Sequence, residues 1–248
     1  MTVGIIGAGR MGRAMGAALA ATGAPALLAS PRRPVPRPPV RPGSGPAAAA
    51  GNLAGAPGDP SVRLVGLAEL LRRAATVVLA LPFPAALDTL AGGLGRAGSG
   101  RVLIDVTNPR FGPGADEWTA TGVSGGERIA ELAPDWLVAK AFNTVSAEVF
   151  GACRLDGMRV CVPVASDHPV ARAGACTMAR RLGFEPLDAG GIRTSRELES
   201  LAVLLVRIGA AQGLGSRVGV RIGVPAPWPP EVPALAASGW RSQPRSGQ

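Results

Sequence analysis

Short apolar runs alternate with amphipathic stretches along most of the 248-residue chain. Thr2–Gly7 is an apolar run of strand length, and Arg10–Ala21 follows with Met11, Met15, Ala18 and Leu19 at helical spacing. Further runs at Pro25–Ala29, Val62–Val65, Thr76–Leu81, Arg101–Val106, Trp136–Ala141, Val160–Ala165 and Phe184–Asp188 predict strands. Leu67–Ala74, Pro84–Leu94, Glu127–Leu132, His168–Leu182 and Ser195–Gln212 predict the helices between them. The last helix has Thr194 or Ser195 as its N-cap and Glu197 or Glu199 near its first turn, where a carboxylate suits the helix dipole. Apolar strands alternating with helices specify an α/β protein, a Rossmann-like, doubly wound, mostly parallel sheet. Residues 1–222 read as one unit, with the last strands and final helix as a small C-terminal extension.

The pattern breaks twice. Residues 31–60, "PRRPVPRPPVRPGSGPAAAAGNLAGAPGDP", hold too many prolines for a helix, because each interior proline removes a donor and clashes with the preceding turn. A disordered, polyproline-like insertion is expected there, and residues 223–248 read as a second proline-rich tail.

The net charge of +9 raises the question of nucleic acid. Much of the excess sits in the proline-rich run, at Arg32, Arg33, Arg37 and Arg41, and in the tail, at Arg241 and Arg245. Aromatics are 4% of the chain and do not interleave with those arginines, so a nucleic-acid surface is not expected. Three cysteines without C-x-x-C spacing argue against a disulfide framework or a zinc site and fit a reducing, cytoplasmic compartment. No apolar stretch reaches the length of a membrane span, and the start lacks the features of a signal peptide.

"GIIGAGRMG" places G-x-G-x-x-G directly after a strand and at the start of a helix, the context a dinucleotide site requires. Gly7 allows the tight turn, Gly9 lets backbone approach a pyrophosphate, and Gly12 lets helix and strand pack closely. The same spacing also serves plain strand-to-helix packing. The second strand ends "LLASPRR", with Ser30, Arg32 and Arg33 where NAD-binding chains usually carry a carboxylate. A hydroxyl and guanidinium groups suit a 2′-phosphate, so NADP is expected over NAD. Leu81 and Pro82, in "LALPF", end a strand at the edge where a dinucleotide would lie.

"LIDVTNP" and "VAKAFNTV" set polar residues, Asn108, Lys140, Asn143 and Thr144, at the ends of apolar strands. Ordinary loop hydrogen bonding is the alternative reading for them. Neither cluster contains a catalytic acid–base pair. His168, the only histidine, reads as a helix start remote from these loops, and the absence of Tyr excludes Tyr–Lys reductase chemistry.

Taken together, "GAGRMG", "ALPF", "LIDVTNP", "KAFNTV" and "RLGFEPLDAGGIRTSRELESLA" resemble the NADP oxidoreductases that use the deazaflavin coenzyme F420. They are similar also to the reductase domain of the STEAP metalloreductases. The resemblance covers roughly residues 1–30 and 62–212. It implies direct hydride transfer between NADP(H) and F420, or a flavin, in a cytoplasmic homodimer whose partners are small-molecule coenzymes. It implies that Ala8, Arg10, Met11, Ser30, Arg32 and Arg33 contact NADP, with Leu81 and Pro82 along it. Asn143, Thr144 and Val145 then sit where the nicotinamide meets the second ring, and Gly190 and Gly191 shape the second pocket. No catalytic residue and no metal are expected; these residues act by positioning. A flavin or metal reductase on the same fold and a non-catalytic NADP sensor are the alternatives. The 3-hydroxyacid dehydrogenases share the opening glycines but need a large helical second domain and a helical catalytic lysine, whereas Lys140 ends a strand.

Overall fold

The computed structural model describes residues 2–31, 61–111, 122–151, 153–155 and 157–223. Arg32, Arg33, the remainder of the 31–60 insertion and the tail from 224 onward lie outside the described residues.

The sheet begins with β1 (Val3–Ile6), and α1 (Arg10–Ala21) carries the chain back to β2 (Ala26–Ala29). β3 (Val62–Leu64), α2 (Leu67–Arg73), β4 (Thr76–Leu79), α3 (Phe83–Ala91) and β5 (Val102–Asp105) continue the alternation. α4 (Gly125–Leu132) and β6 (Leu137–Lys140) complete a six-stranded sheet of order β3-β2-β1-β4-β5-β6. All its pairings are parallel. This is the doubly wound Rossmann arrangement.

A short hairpin, β7 (Arg154–Leu155) and β8 (Met158–Arg159), precedes β9 (Cys161–Val164), α5 (Pro169–Arg181) and β10 (Glu185–Asp188). β9 and β10 pair in parallel. An antiparallel bridge between Lys140 and Ala165 joins them to the edge of the main sheet at β6. A 3-10 turn, Ile192–Thr194, leads into α6 (Ser195–Ala211). Thr194 is the N-cap residue but makes no side-chain capping bond, because the chain enters through that turn.

Successive strand side chains alternate between faces, and the core divides accordingly. Ile5, Val78, Ile104 and Ala139 pack on one side with Met15 and Leu19 of α1 and with α5. Ile6, Val77, Leu79, Leu103 and Val138 pack on the other with α2, α3 and α4. Both faces are covered, so the strands are apolar throughout rather than alternating. Trp136 closes the second face, its indole N–H donating to the Leu94 carbonyl at 2.8 Å.

Candidate functional site

Parallel register decides where the site forms. Ile6 pairs with Leu79, Leu79 with Asp105, and Asp105 with Lys140. Four strands therefore end at one edge, and the four loops that follow them converge there. They border a cleft of about 620 Å³. Ligand sites in open parallel sheets form at this carboxyl edge.

The glycine loop forms one side. Gly7 has φ +123°, and a Cβ there would lie 2.1 Å from the Ala80 carbonyl oxygen. A Cβ on Gly12 would lie 1.8 Å from the Gly7 oxygen, so this glycine seats α1 against the β1 turn. A Cβ on Gly9 would meet nothing within 4 Å. Two glycines thus serve packing, and the third leaves its backbone open toward the cleft. Gly9 is also the N-cap of α1; it offers no capping side chain, and the first turn carries no acidic residue. The free N–H groups and positive end of the helix dipole are left for an anion, with Arg10 beside them.

Of the residues expected from the sequence, Gly9, Arg10, Met11, Leu81, Pro82, Asn108, Asn143, Thr144 and Val145 line the cleft. Gly7, Ala8 and Gly12 shape the loop behind it. Ser30 is exposed just beyond the end of β2 and is not part of the lining.

Two of the expected residues lie away from the cleft lining. Gly190 does not reach the cleft: it turns the chain after β10 with φ +87°, its carbonyl accepting from the Ser166 N–H at 2.9 Å. Its left-handed backbone explains the glycine. Lys140 is fully buried beneath the floor instead of lining it. Its ammonium donates to Asp105 Oδ2 at 2.9 Å and to the Thr107 carbonyl at 2.7 Å, and lies 3.1 Å from Glu199 Oε1. Burial disfavours the charged form, but the carboxylates of Asp105 and Glu199 outweigh it and hold the pKa above the ordinary lysine value.

Four polar atoms at the cleft have no hydrogen-bond partner among the described residues: Thr107 Oγ1, Asn108 Nδ2, Asn143 Oδ1 and Thr144 Oγ1. Thr107, Asn143 and Thr144 are 3%, 8% and 5% exposed. Buried polar groups are ordinarily paired, so such a cluster matches a ligand bearing both donors and acceptors. The loop that carries Asn143 and Thr144 is set by Phe142, whose φ of +61° is unusual for a bulky residue. Edge-on packing against Phe184 and tilted packing against Phe150 hold it there. Among the described lining residues there is no carboxylate, His, Lys or Cys.

The sequence reading missed the opposite wall. Ala202, Leu205, Val206 and Ala210 of α6, with Gly215, Ser216 and Val218 beyond it, face the glycine loop across the cleft. Phe111 and Ser146 also contribute. The apolar spacing of the last helix was visible, but nothing local says which cleft that face closes.

The parallel six-stranded sheet and the glycine-loop cleft at its carboxyl edge define a Rossmann fold with a cleft placed where such sheets bind ligands. Residues 2–109 match the family model described as NADP oxidoreductase, coenzyme F420-dependent. Metalloreductase STEAP3 of Rattus norvegicus is 36% identical over 108 residues, which are 44% of this chain and 21% of that relative. The matched segment thus spans about a fifth of the curated relative's length. A crystal structure from Arthrobacter sp. FB24, described as a candidate F420-dependent NADP reductase, superposes with a TM-score of 0.71. It is 24% identical and covers 90% of this chain and all of its own. An imine reductase from Pseudomonas sp. superposes with a TM-score of 0.56 at 14% identity, over 86% of this chain and 63% of its own. At those identities the two structures establish the shared fold.

Proposed function

We propose that this chain is an NADP-dependent oxidoreductase that passes hydride between NADP(H) and a second redox ring, with the deazaflavin F420 as the first assignment. The observation that carries the reading is the composition of the cleft. An anion-ready glycine loop stands at one end, neutral polar atoms without a partner among the described residues line the floor, and the described lining contains no acid–base side chain. Hydride passage between two rings needs alignment, not a protein proton donor, and reacting atoms held about 3–3.5 Å apart gain most of their rate from that alignment.

Gly9, the α1 N-terminus and Arg10 would hold the pyrophosphate, and Ser30, Arg32 and Arg33 the 2′-phosphate. Leu81 and Pro82 would lie along the dinucleotide, with Thr107, Asn108, Asn143 and Thr144 around the carboxamide and ring edge. NADPH held there would supply the hydride and a bound acceptor ring would take it up, with the balancing proton coming from solvent because the described lining offers no proton donor. The apolar α6 wall, Ala202, Leu205, Val206 and Ala210, would exclude water from the space in which the two rings would be aligned.

The likeness to a metalloreductase favours, as a second reading, a flavin or a metal complex as acceptor. Among the described residues no group of three or more His, Cys, Asp or Glu could hold a metal ion. We further propose that residues 1–222 act as one unit in a cytoplasmic homodimer. Leu204, Ile208 and Leu214, all exposed, offer an apolar patch for a second copy, which sedimentation can test. No helix among the described residues is long and apolar enough to cross a membrane.

The test is anaerobic mixing of the full chain with NADPH and F420, then with FMN or FAD. Loss of the absorbance of one acceptor names it. Binding of NADPH by calorimetry without reduction of any acceptor points to a sensor. No heat with either NADPH or NADP⁺ overturns the proposal.

A further inference from the structure

Beneath the cleft lies an ionic network that the proposed hydride transfer does not use directly. Asp105 and Lys140 are fully buried and Glu199 is 2% exposed. Lys140 ties the end of β6 to the end of β5, through Asp105 and the Thr107 carbonyl, and to α6 through Glu199. The Glu199 carboxylate also accepts from the backbone N–H groups of Gly125 and Gly126, at 3.1 Å and 3.0 Å, at the start of α4. Asp105 Oδ1 accepts from the Thr107 N–H at 2.8 Å, and Asn143 Nδ2 donates to the Leu198 carbonyl at 2.9 Å. Two of these links reach the cleft floor, at Thr107 and at Asn143, while those to Gly125 and Gly126 anchor α4. Thr107 and Asn143 are floor residues, and Ala202 and Leu205, on the wall, follow Glu199 within two turns of α6.

Burying three charges costs more desolvation than an apolar seam of the same size, so attachment of α6 alone does not explain the network. An apolar seam can slide. An ammonium with three fixed acceptors cannot shift without leaving a buried charge unpaired.

We propose that Glu199 is a positioning residue: through Lys140 it fixes the separation between the α6 wall and the strand-end floor, and with it the alignment of hydride donor and acceptor. The inference rests on the hydride-transfer reading above. Displacement of about 1 Å at such a step can cost on the order of 100-fold in rate.

The test uses Glu199→Gln and Glu199→Asp in the full chain, each assayed at a temperature where circular dichroism shows it folded. NADPH affinity is measured by calorimetry, and the emission of bound NADPH by fluorescence. The hydride step is measured in single turnover with F420 or FMN, whichever the wild type reduces. Expected for Glu199→Gln are an NADPH Kd within about threefold of wild type, a single-turnover rate lower by roughly 10–100-fold, and a shifted emission maximum. Glu199→Asp, which keeps the charge with a shorter reach, falls between. Folded variants with the wild-type rate and emission, even at a lower melting temperature, overturn the proposal. If Glu199→Gln does not fold, the Asp variant decides by the same criteria. If neither folds, hydrogen exchange on the wild type decides: NADPH must slow exchange at the Gly125 and Gly126 amides, and unchanged exchange there overturns the coupling. A wild type that binds no NADPH sinks the functional reading and this inference with it, whereas active wild type with unaffected variants sinks the inference alone.

Discussion

Gly9 and Gly12 stand three residues apart in one loop, and alanine at each should fail differently. At Gly12 the new Cβ would lie 1.8 Å from the Gly7 oxygen. Contacts under 3.0 Å are essentially never seen, so α1 must retreat by at least 3.0 − 1.8 = 1.2 Å. A gap of about 1 Å forfeits a quarter to a half of each dispersion contact. Met15 and Leu19, 0% and 1% exposed, carry most of the helix's apolar contact with the sheet. Each such side chain is worth about 1.5–3 kcal/mol when buried, so the retreat costs about 1–3 kcal/mol. Residual overpacking adds about 1–3 kcal/mol, and the better helix propensity of alanine returns about 1 kcal/mol. The net loss is about 1–5 kcal/mol, a fall in Tm of about 2–20 °C for a chain of this size. At Gly9 the new methyl meets nothing, and the loss of glycine from the N-cap costs only about 0.5 kcal/mol, or about 1–2 °C. In the proposed binding mode that methyl would stand where the phosphates approach, so the Kd for NADPH should rise at least about tenfold, or about 1.4 kcal/mol. Thermal melts and calorimetry on the two variants separate these outcomes. Wild-type affinity in Gly9→Ala, or a wild-type melting temperature in Gly12→Ala, would refute the division of duties in the loop.

Lys140→Met strands the carboxylates of Asp105 and Glu199 without their cation and should cost about 3–5 kcal/mol in urea unfolding; a loss under about 1 kcal/mol would mean the network contributes little. Thr144→Val removes a buried hydroxyl that has no partner among the described residues, so stability should hold or rise while NADPH affinity or turnover falls about 3–10-fold. Unchanged binding and turnover would take Thr144 out of the site. Glu127 is held at a pKa of about 2, below the ordinary 4.5, chiefly by its hydrogen bonds from Arg196 and further by those from Ser124. Its depressed pKa makes its stabilisation complete above about pH 4.5 and progressively lost as the pH falls toward 2. The urea midpoints of wild type and Glu127→Gln should therefore differ near neutrality and converge as acid is added; a gap independent of pH would contradict the assignment.

The strands were legible because both faces of the sheet are covered, which turns each strand into an apolar run. Their limits were less so. The predicted strand Thr76–Leu81 stops at Leu79, because Ala80–Pro82 leave the sheet to border the cleft. The helix predicted to reach Leu94 ends at Ala91, where Gly92 and Gly93 break it and Leu94 starts a separate 3-10 turn. The helix predicted from Glu127 begins two residues earlier, because Ser124 and Glu127 form a reciprocal capping box. That S-x-x-E spacing was readable. The hairpin β7–β8 was not: strands of two residues carry no periodicity.

The two halves of the site differ in how much a local pattern can say. Gly9 and Arg10 are neighbours in the chain and both line the cleft, so spacing alone points to them. Glu199 and Lys140 are 59 positions apart and meet only after the sheet has formed. Yet each carries a local anomaly. Lys140 ends an apolar strand, and Glu199 stands on the buried stripe that Leu198, Ala202 and Leu205 mark along α6. A charge at a buried register cannot remain alone, because its desolvation must be offset by an opposite charge or by hydrogen bonds. One buried-register cation and one buried-register anion in the same chain therefore predict each other, and that pairing would have placed the start of α6 over the end of β6 without any likeness to a known family. Once α6 is anchored at that point, its apolar face has to continue over the strand-end loops, and the far wall of the cleft follows.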